Sequence, residues 1–174
     1  LARLMDRLRA AEKHTLRGWE VNTFAAGAQD RVSRPSAVPH VWQVSPHLYK
    51  FRGPNVWYNF SILVADSGRG LVIDCGLMDL AFLDAALAGM RDRLGLTKID
   101  AVFVTHAHGD HFLEAEHLRK TWGASLWTMA GVEGPCERPE RYDFPAAVQA
   151  YGPSIKRGIT GVTFDRLVPA GGSF

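Results

Sequence analysis

Three of the chain's seven histidines fall within six residues, in the stretch Val104-Thr105-His106-Ala107-His108-Gly109-Asp110-His111. His106 and His108 stand two apart at the exit of an apolar run, Ile99 to Val104, that reads as a buried strand. In extended backbone, residues two apart project to the same side, so both imidazoles can reach one ion. Gly109 gives the chain freedom to redirect, and Asp110 with His111 can then offer a carboxylate and a nitrogen to a neighbouring ion. Imidazole and carboxylate donors without thiolate suit zinc, manganese or iron, and fit an open catalytic site better than a closed structural one. His14, His40 and His47 stand alone and read as surface or hydrogen-bonded residues, and His117 as solvated or supporting.

The elements that must position this loop are legible in outline. Residues 2 to 20 carry apolar side chains on roughly helical spacing, and residues 27 to 39, rich in small, polar and proline residues, read as a linker or extended surface arm. Short strands follow at 41–44, 48–51, 56–65 and 70–74, with Ser67-Gly68 and Arg69-Gly70 suited to a hairpin between the last two. A helix is expected from Asp79, its N-cap, to about Leu94, with Leu83, Leu87, Met90 and Leu94 on one stripe and Gly95 at its end. Because the next apolar run is again a strand, the unit reads as a parallel pair joined by a crossover. A second helix is expected to begin in the histidine motif, capped by Asp110 and running through Phe112, Ala115, Leu118 and Trp122 to Gly123. Ser125 to Met129 reads as a strand, residues 146–151 as a short helix, and residues 162–168 as the start of another strand.

Composition narrows the class. Hydrophobic residues make up 47% and charged residues 22% of the 174, with a formal charge of +2, as in an ordinary globular domain with one core. The basic residues near the start are interleaved with Asp6, Glu12 and Glu20, which gives nucleic acid little to bind. Cys75 and Cys136 form no CxxC unit and read as free thiols in a reducing compartment, so a cytoplasmic location is expected. No apolar run reaches the roughly 18 residues of a membrane span.

The segment Thr105-His106-Ala107-His108-Gly109-Asp110-His111 resembles the HxHxDH signature of the metallo-β-lactamase superfamily, and Gly70-Leu-Val-Ile-Asp74-Cys-Gly76 is similar to that family's strand ending in Asp before a small residue and Gly. The upstream hairpin with Asn55 and Asn59 agrees. The resemblance covers residues 41–174, the N-terminal half of such a domain, and leaves 1–40 as a helix and linker outside it. It implies an α/β fold, the four-layer αβ/βα sandwich. It also implies His106 and His108 on a first metal and Asp110 and His111 on a second, with Asp74 bracing the loops. Two zinc ions are expected, with iron or manganese as alternatives. A hydroxide held by the metals and oriented by Asp110 would attack an ester, thioester, lactone, sulfate ester, phosphodiester or lactam.

Three further ligands that the family supplies, a third first-site histidine, a bridging aspartate and a last histidine, have no counterpart. No histidine follows His117, and Asp143 and Asp165 are the only later aspartates. Asp165, in Phe-Asp-Arg-Leu-Val-Pro, resembles the strand and turn that precede the missing third histidine. The chain is therefore expected to be incomplete at its C-terminal side, to need a completing segment, and to be inactive alone on its small-molecule substrate. A non-catalytic scaffold that keeps the fold is the alternative from a different class.

Overall fold

The computed structural model describes residues 34–52, 60–76, 79–141 and 160–169. The chain divides into two compact units, residues 1–34 and 35–174. The expected helix at 2–20, residues 56–59 of the strand expected at 56–65, Asn55 and Asn59, and the short helix at 146–151 lie outside the described residues.

Among the described residues, eight strands form one sheet in sequence order: β1 (Arg34–Pro35), β2 (Val41–Gln43), β3 (Leu48–Phe51), β4 (Phe60–Val64), β5 (Arg69–Cys75), β6 (Lys98–Val104), β7 (Ser125–Met129) and β8 (Arg166–Val168). From β2 to β5 neighbours are antiparallel; from β5 to β8 they are parallel. The β4–β5 hairpin turns at Gly68, whose φ of 79° favours glycine. Helix α1 (Leu80–Leu94) crosses between β5 and β6 as expected. The Asp79 carboxylate accepts the Phe82 N–H at 3.0 Å, and Gly95 ends the helix at φ 72°.

Register explains the core. Tyr49 pairs with Ile62, Ile62 with Val72, Val72 with Val102, and Val102 with Leu126, a row of buried side chains running across the sheet. The row shares one apolar core with Leu83, Leu87 and Met90 of α1 and with Phe112, Ala115 and Leu118 further on. The opposite face carries Ile73, Phe103 and Trp127 half-buried, with Leu63 and Met129 exposed. Among the described residues, one sheet with helices packed on one face is half of the expected four-layer sandwich, and the other face carries these partly exposed apolar side chains.

Three expectations need correction. The predicted helix at 110–122 is two helices, α2 (Gly109–Phe112) and α3 (Ala115–Trp122). Its break has a cause: the Glu114 N–H is donated to the Cys75 carbonyl at 2.9 Å, so the chain at that point is tied to the end of β5 and not to its own preceding turn. His108, with no side-chain capping bond, occupies the N-cap position, and Asp110 lies inside α2. The strand predicted at 162–168 is regular only over Arg166–Val168; before it, the Val162 N–H is donated to the Cys136 carbonyl, outside the sheet. The arm predicted at 27–39 is anchored at its end: Val38 is buried, and a Cβ on Gly89 of α1 would lie 2.8 Å from its Cγ1.

Asp165 fastens β8 to the sheet. Its Oδ2 accepts the Leu126 N–H at 2.7 Å, the Arg119 guanidinium at 3.1 Å and the Ser125 hydroxyl at 3.3 Å. Partial burial pushes its pKa up, but those three donors prevail and hold it below the ordinary 3.8. With the folded value depressed, its contribution is present above pH 3.8 and fades as pH falls through the folded value. Asp165→Asn, at a half-exposed site, is therefore expected to cost roughly 0.5–1 kcal/mol at pH 7, by urea unfolding. The difference from wild type should shrink toward zero in strong acid.

Candidate functional site

β5 and β6 are parallel neighbours, so Asp74 and Val104 finish at the same edge of the sheet. Asp74 sits at φ 60°, a left-handed conformation that aspartate tolerates better than most side chains. Its carboxylate is buried and accepts the Thr105 N–H (2.8 Å, Oδ1) and the Thr105 hydroxyl (2.9 Å to Oδ1, 3.0 Å to Oδ2). Asp74 Oδ2 also lies 2.9 Å from His111 Nδ1. One carboxylate thus ties the end of β5 to both ends of the loop 105–111.

The loop closes tightly. The His111 N–H bonds the His108 carbonyl at 2.9 Å, and the backbone of 109–111 passes directly over Gly76, where a Cβ would stand 2.6 Å from His111 N and nearer still to Gly109 O and Asp110 C. Asp-Cys-Gly at 74–76 is therefore a carboxylate, a buried small residue and a position where only hydrogen fits. Thr128, fully buried on β7, donates its hydroxyl to the Val104 carbonyl at 2.9 Å and so fixes the last residue before the loop.

All four motif residues come together. His106 Nε2 is 3.1 Å from His108 Nδ1, and Asp110 Oδ2 is 3.5 Å from His111 Nε2. The His106 and His111 rings lie 3.8 Å apart between centroids. Burial, then the proximity of His111 and His108, lowers the His106 pKa against the opposing pull of Asp74 and Asp110, which favours the neutral imidazole that can bind a cation. Among the described residues no group of three or more His, Cys, Asp or Glu side chains is arranged to hold one ion. The donors fall instead into two pairs. Two donors bound to one tetrahedral ion at about 2.0–2.1 Å each stand roughly 3.3 Å apart, and both pairs have nearly that separation. The donor types and the separation within each pair therefore fit a divalent cation.

The other singled-out residues are placed elsewhere. His117 Nε2 is 2.7 Å from Asp84 Oδ1 and joins α3 to α1, His47 Nδ1 is 3.0 Å from the Val64 carbonyl, and His40 packs edge-on against Phe82. Both thiols are free and buried; burial, then the charges of Glu114 and Asp74, pushes Cys75 well up, and burial foremost pushes Cys136 up to about 12, so neither is a reactive thiolate. Reading the sequence missed Thr105 and Thr128. Thr105 carried a usable signal, a hydroxyl beside the first motif histidine; Thr128 carried none, since a threonine in a strand is ordinary.

No helix among the described residues is long and apolar enough to cross a membrane. Among curated proteins, the anti-Pycsar protein Apyc1 of Saccharibacillus brassicae is 40% identical over 55 residues, 32% of this chain and 20% of that protein. Among solved structures, the FEZ-1 metallo-β-lactamase of Legionella gormanii matches with a TM-score of 0.55 at 18% identity, over 78% of this chain and 49% of that one. The BLEG-1 B3 metallo-β-lactamase matches with a TM-score of 0.50 at 21% identity, over 67% of this chain and 49% of that one. At such identities the likeness is one of fold, and the chain spans about half the length of these structures and a fifth of the curated relative. The family model of the metallo-β-lactamase superfamily matches residues 54–173, and with the incomplete sandwich and the loop geometry above, the chain belongs to that superfamily.

Proposed function

We propose that this chain is the N-terminal half of a metal-dependent hydrolase domain in which His106 and His108 hold one divalent ion, and Asp110 and His111 a second, with zinc the preferred metal. The observation that carries the reading is the pairing of donors at 3.1 Å and 3.5 Å on one loop, backed by the Asp74 carboxylate. A carboxylate behind a ligating imidazole fixes its orientation and raises its basicity. When bound, such ions lower the pKa of water toward 7 and polarise the electrophilic centre of the substrate.

The chain's own residues have definable tasks. Asp74 holds the loop against β5, and the buried Asp110 carboxylate accepts a hydrogen bond from a proton-bearing group held at the site and so orients it. The remaining ligands come from a completing segment, in this reading further chain that covers the exposed sheet face. In this reading the substrate is a small molecule with an ester, thioester, lactone, sulfate ester, phosphodiester or lactam bond, and loops beyond the sheet edge choose among them.

The test is hydrolysis by the full-length protein across a panel of these bonds, before and after a chelator. Turnover lost on chelation, regained with zinc, and reduced at least about 100-fold by His108→Ala is the expected result. Stoichiometric metal with no turnover on any bond would instead favour a scaffold.

A further inference from the structure

We infer that Thr105 is a positioning residue that fixes which nitrogen of His106 carries the proton, so that Nε2 presents its lone pair beside His108. The inference rests on the metal-site reading for its purpose, but its structural content stands on hydrogen-bond accounting alone.

Thr105 Oγ1 lies within hydrogen-bond distance of three atoms: Asp74 Oδ1 at 2.9 Å, Asp74 Oδ2 at 3.0 Å and His106 Nδ1 at 3.0 Å. A hydroxyl has one proton to give, and a carboxylate can only accept. If that proton went to His106, the hydroxyl oxygen would face two carboxylate oxygens at contact distance with nothing between them, at a buried site where such repulsion is poorly screened. The Thr105 N–H, held on Asp74 Oδ1 at 2.8 Å, keeps the residue from swinging away. The hydroxyl proton therefore goes to Asp74, and toward His106 the oxygen accepts. His106 Nδ1 must then bear the ring proton, which leaves Nε2 as the lone-pair nitrogen, and Nε2 is the atom 3.1 Å from His108 Nδ1.

His111 Nδ1 also lies 2.9 Å from Asp74 Oδ2, so the same carboxylate stands beside both ends of the loop. Control of the tautomer through the Thr105 hydroxyl concerns His106 alone. Valine has nearly the shape of threonine but no hydroxyl, so it removes this control while keeping the packing; serine keeps the control and loses a methyl.

Long-range proton–nitrogen NMR of the imidazoles in the metal-free, full-length protein at mildly alkaline pH reads the tautomer. Chelator competition reads zinc affinity separately. The expected result is a His106 ring protonated at Nδ1 in wild type and in Thr105→Ser, a mixed population in Thr105→Val, and zinc affinity roughly 10–100-fold weaker in Thr105→Val but within about threefold of wild type in Thr105→Ser. A wild-type ring protonated at Nε2, or a Thr105→Val protein with unchanged tautomer and affinity, would overturn the assignment. If Thr105→Val fails to fold, the wild-type and serine spectra still decide the tautomer. A wild type that binds no zinc yet shows the Nδ1 proton would end the metal reading and leave the role of Thr105 standing.

Discussion

Gly76→Ala is expected to disrupt the loop 105–111, with a loss of at least about 3 kcal/mol in unfolding free energy. An added Cβ would collide with backbone atoms of Gly109, Asp110 and His111, and backbone held by strand ends cannot swing aside as a side chain can. Gly95→Ala is the matched control. Gly95 has φ 72° with nothing within 4 Å of an added Cβ, so the strain of the left-handed conformation alone should cost only about 1–2 kcal/mol. Urea unfolding of the two variants side by side measures the difference. Equal losses would mean that the close approach at Gly76 does not exist, and the description of the loop would fall with it.

The second large effect is expected at Asp74. Asp74→Ala removes the acceptor for the Thr105 N–H and hydroxyl and the partner of His111 Nδ1. Leaving such donors unsatisfied costs about 1–3 kcal/mol apiece, partly recovered if water enters, so a stability loss of about 2–4 kcal/mol is expected. Asp74→Asn separates structure from chemistry. The amide oxygen can still accept from Thr105, which should limit the stability loss to about 1 kcal/mol. Its NH2 group now faces the loop with donors where the carboxylate offered acceptors. Zinc affinity should then fall 10–100-fold in both variants despite their different stabilities. If affinity tracked stability instead, Asp74 would be a structural strut with no bearing on the donors.

Much of this was readable from residue order, and the failures have specific causes. Asp79, the Leu83-Leu87-Met90 stripe and Gly95 define α1 because caps and periodicity are local properties. The four donors of the motif are adjacent in sequence, so their proximity needed only a strand end and a turn. By contrast, periodicity from Phe112 to Trp122 runs through a real break, because the bond that breaks the helix comes from Cys75, some forty residues away in a different strand. Val38 looked like part of an unstructured arm for the same reason: its burial depends on the absence of a side chain at Gly89. Asp74 is assigned to the site by resemblance; its acceptance of the Thr105 N–H and hydroxyl, with His111 Nδ1 2.9 Å away, required coordinates. The remaining ligands have no counterpart in the sequence.

Metal stoichiometry of the full-length protein, measured by elemental analysis after dialysis, tests the central claim most directly. Wild type is expected to carry about two equivalents of zinc, His106→Ala/His108→Ala to lose one pair's ion, and Asp110→Ala/His111→Ala to lose the other. Wild type without bound metal, or double variants that keep the wild-type content, would contradict it.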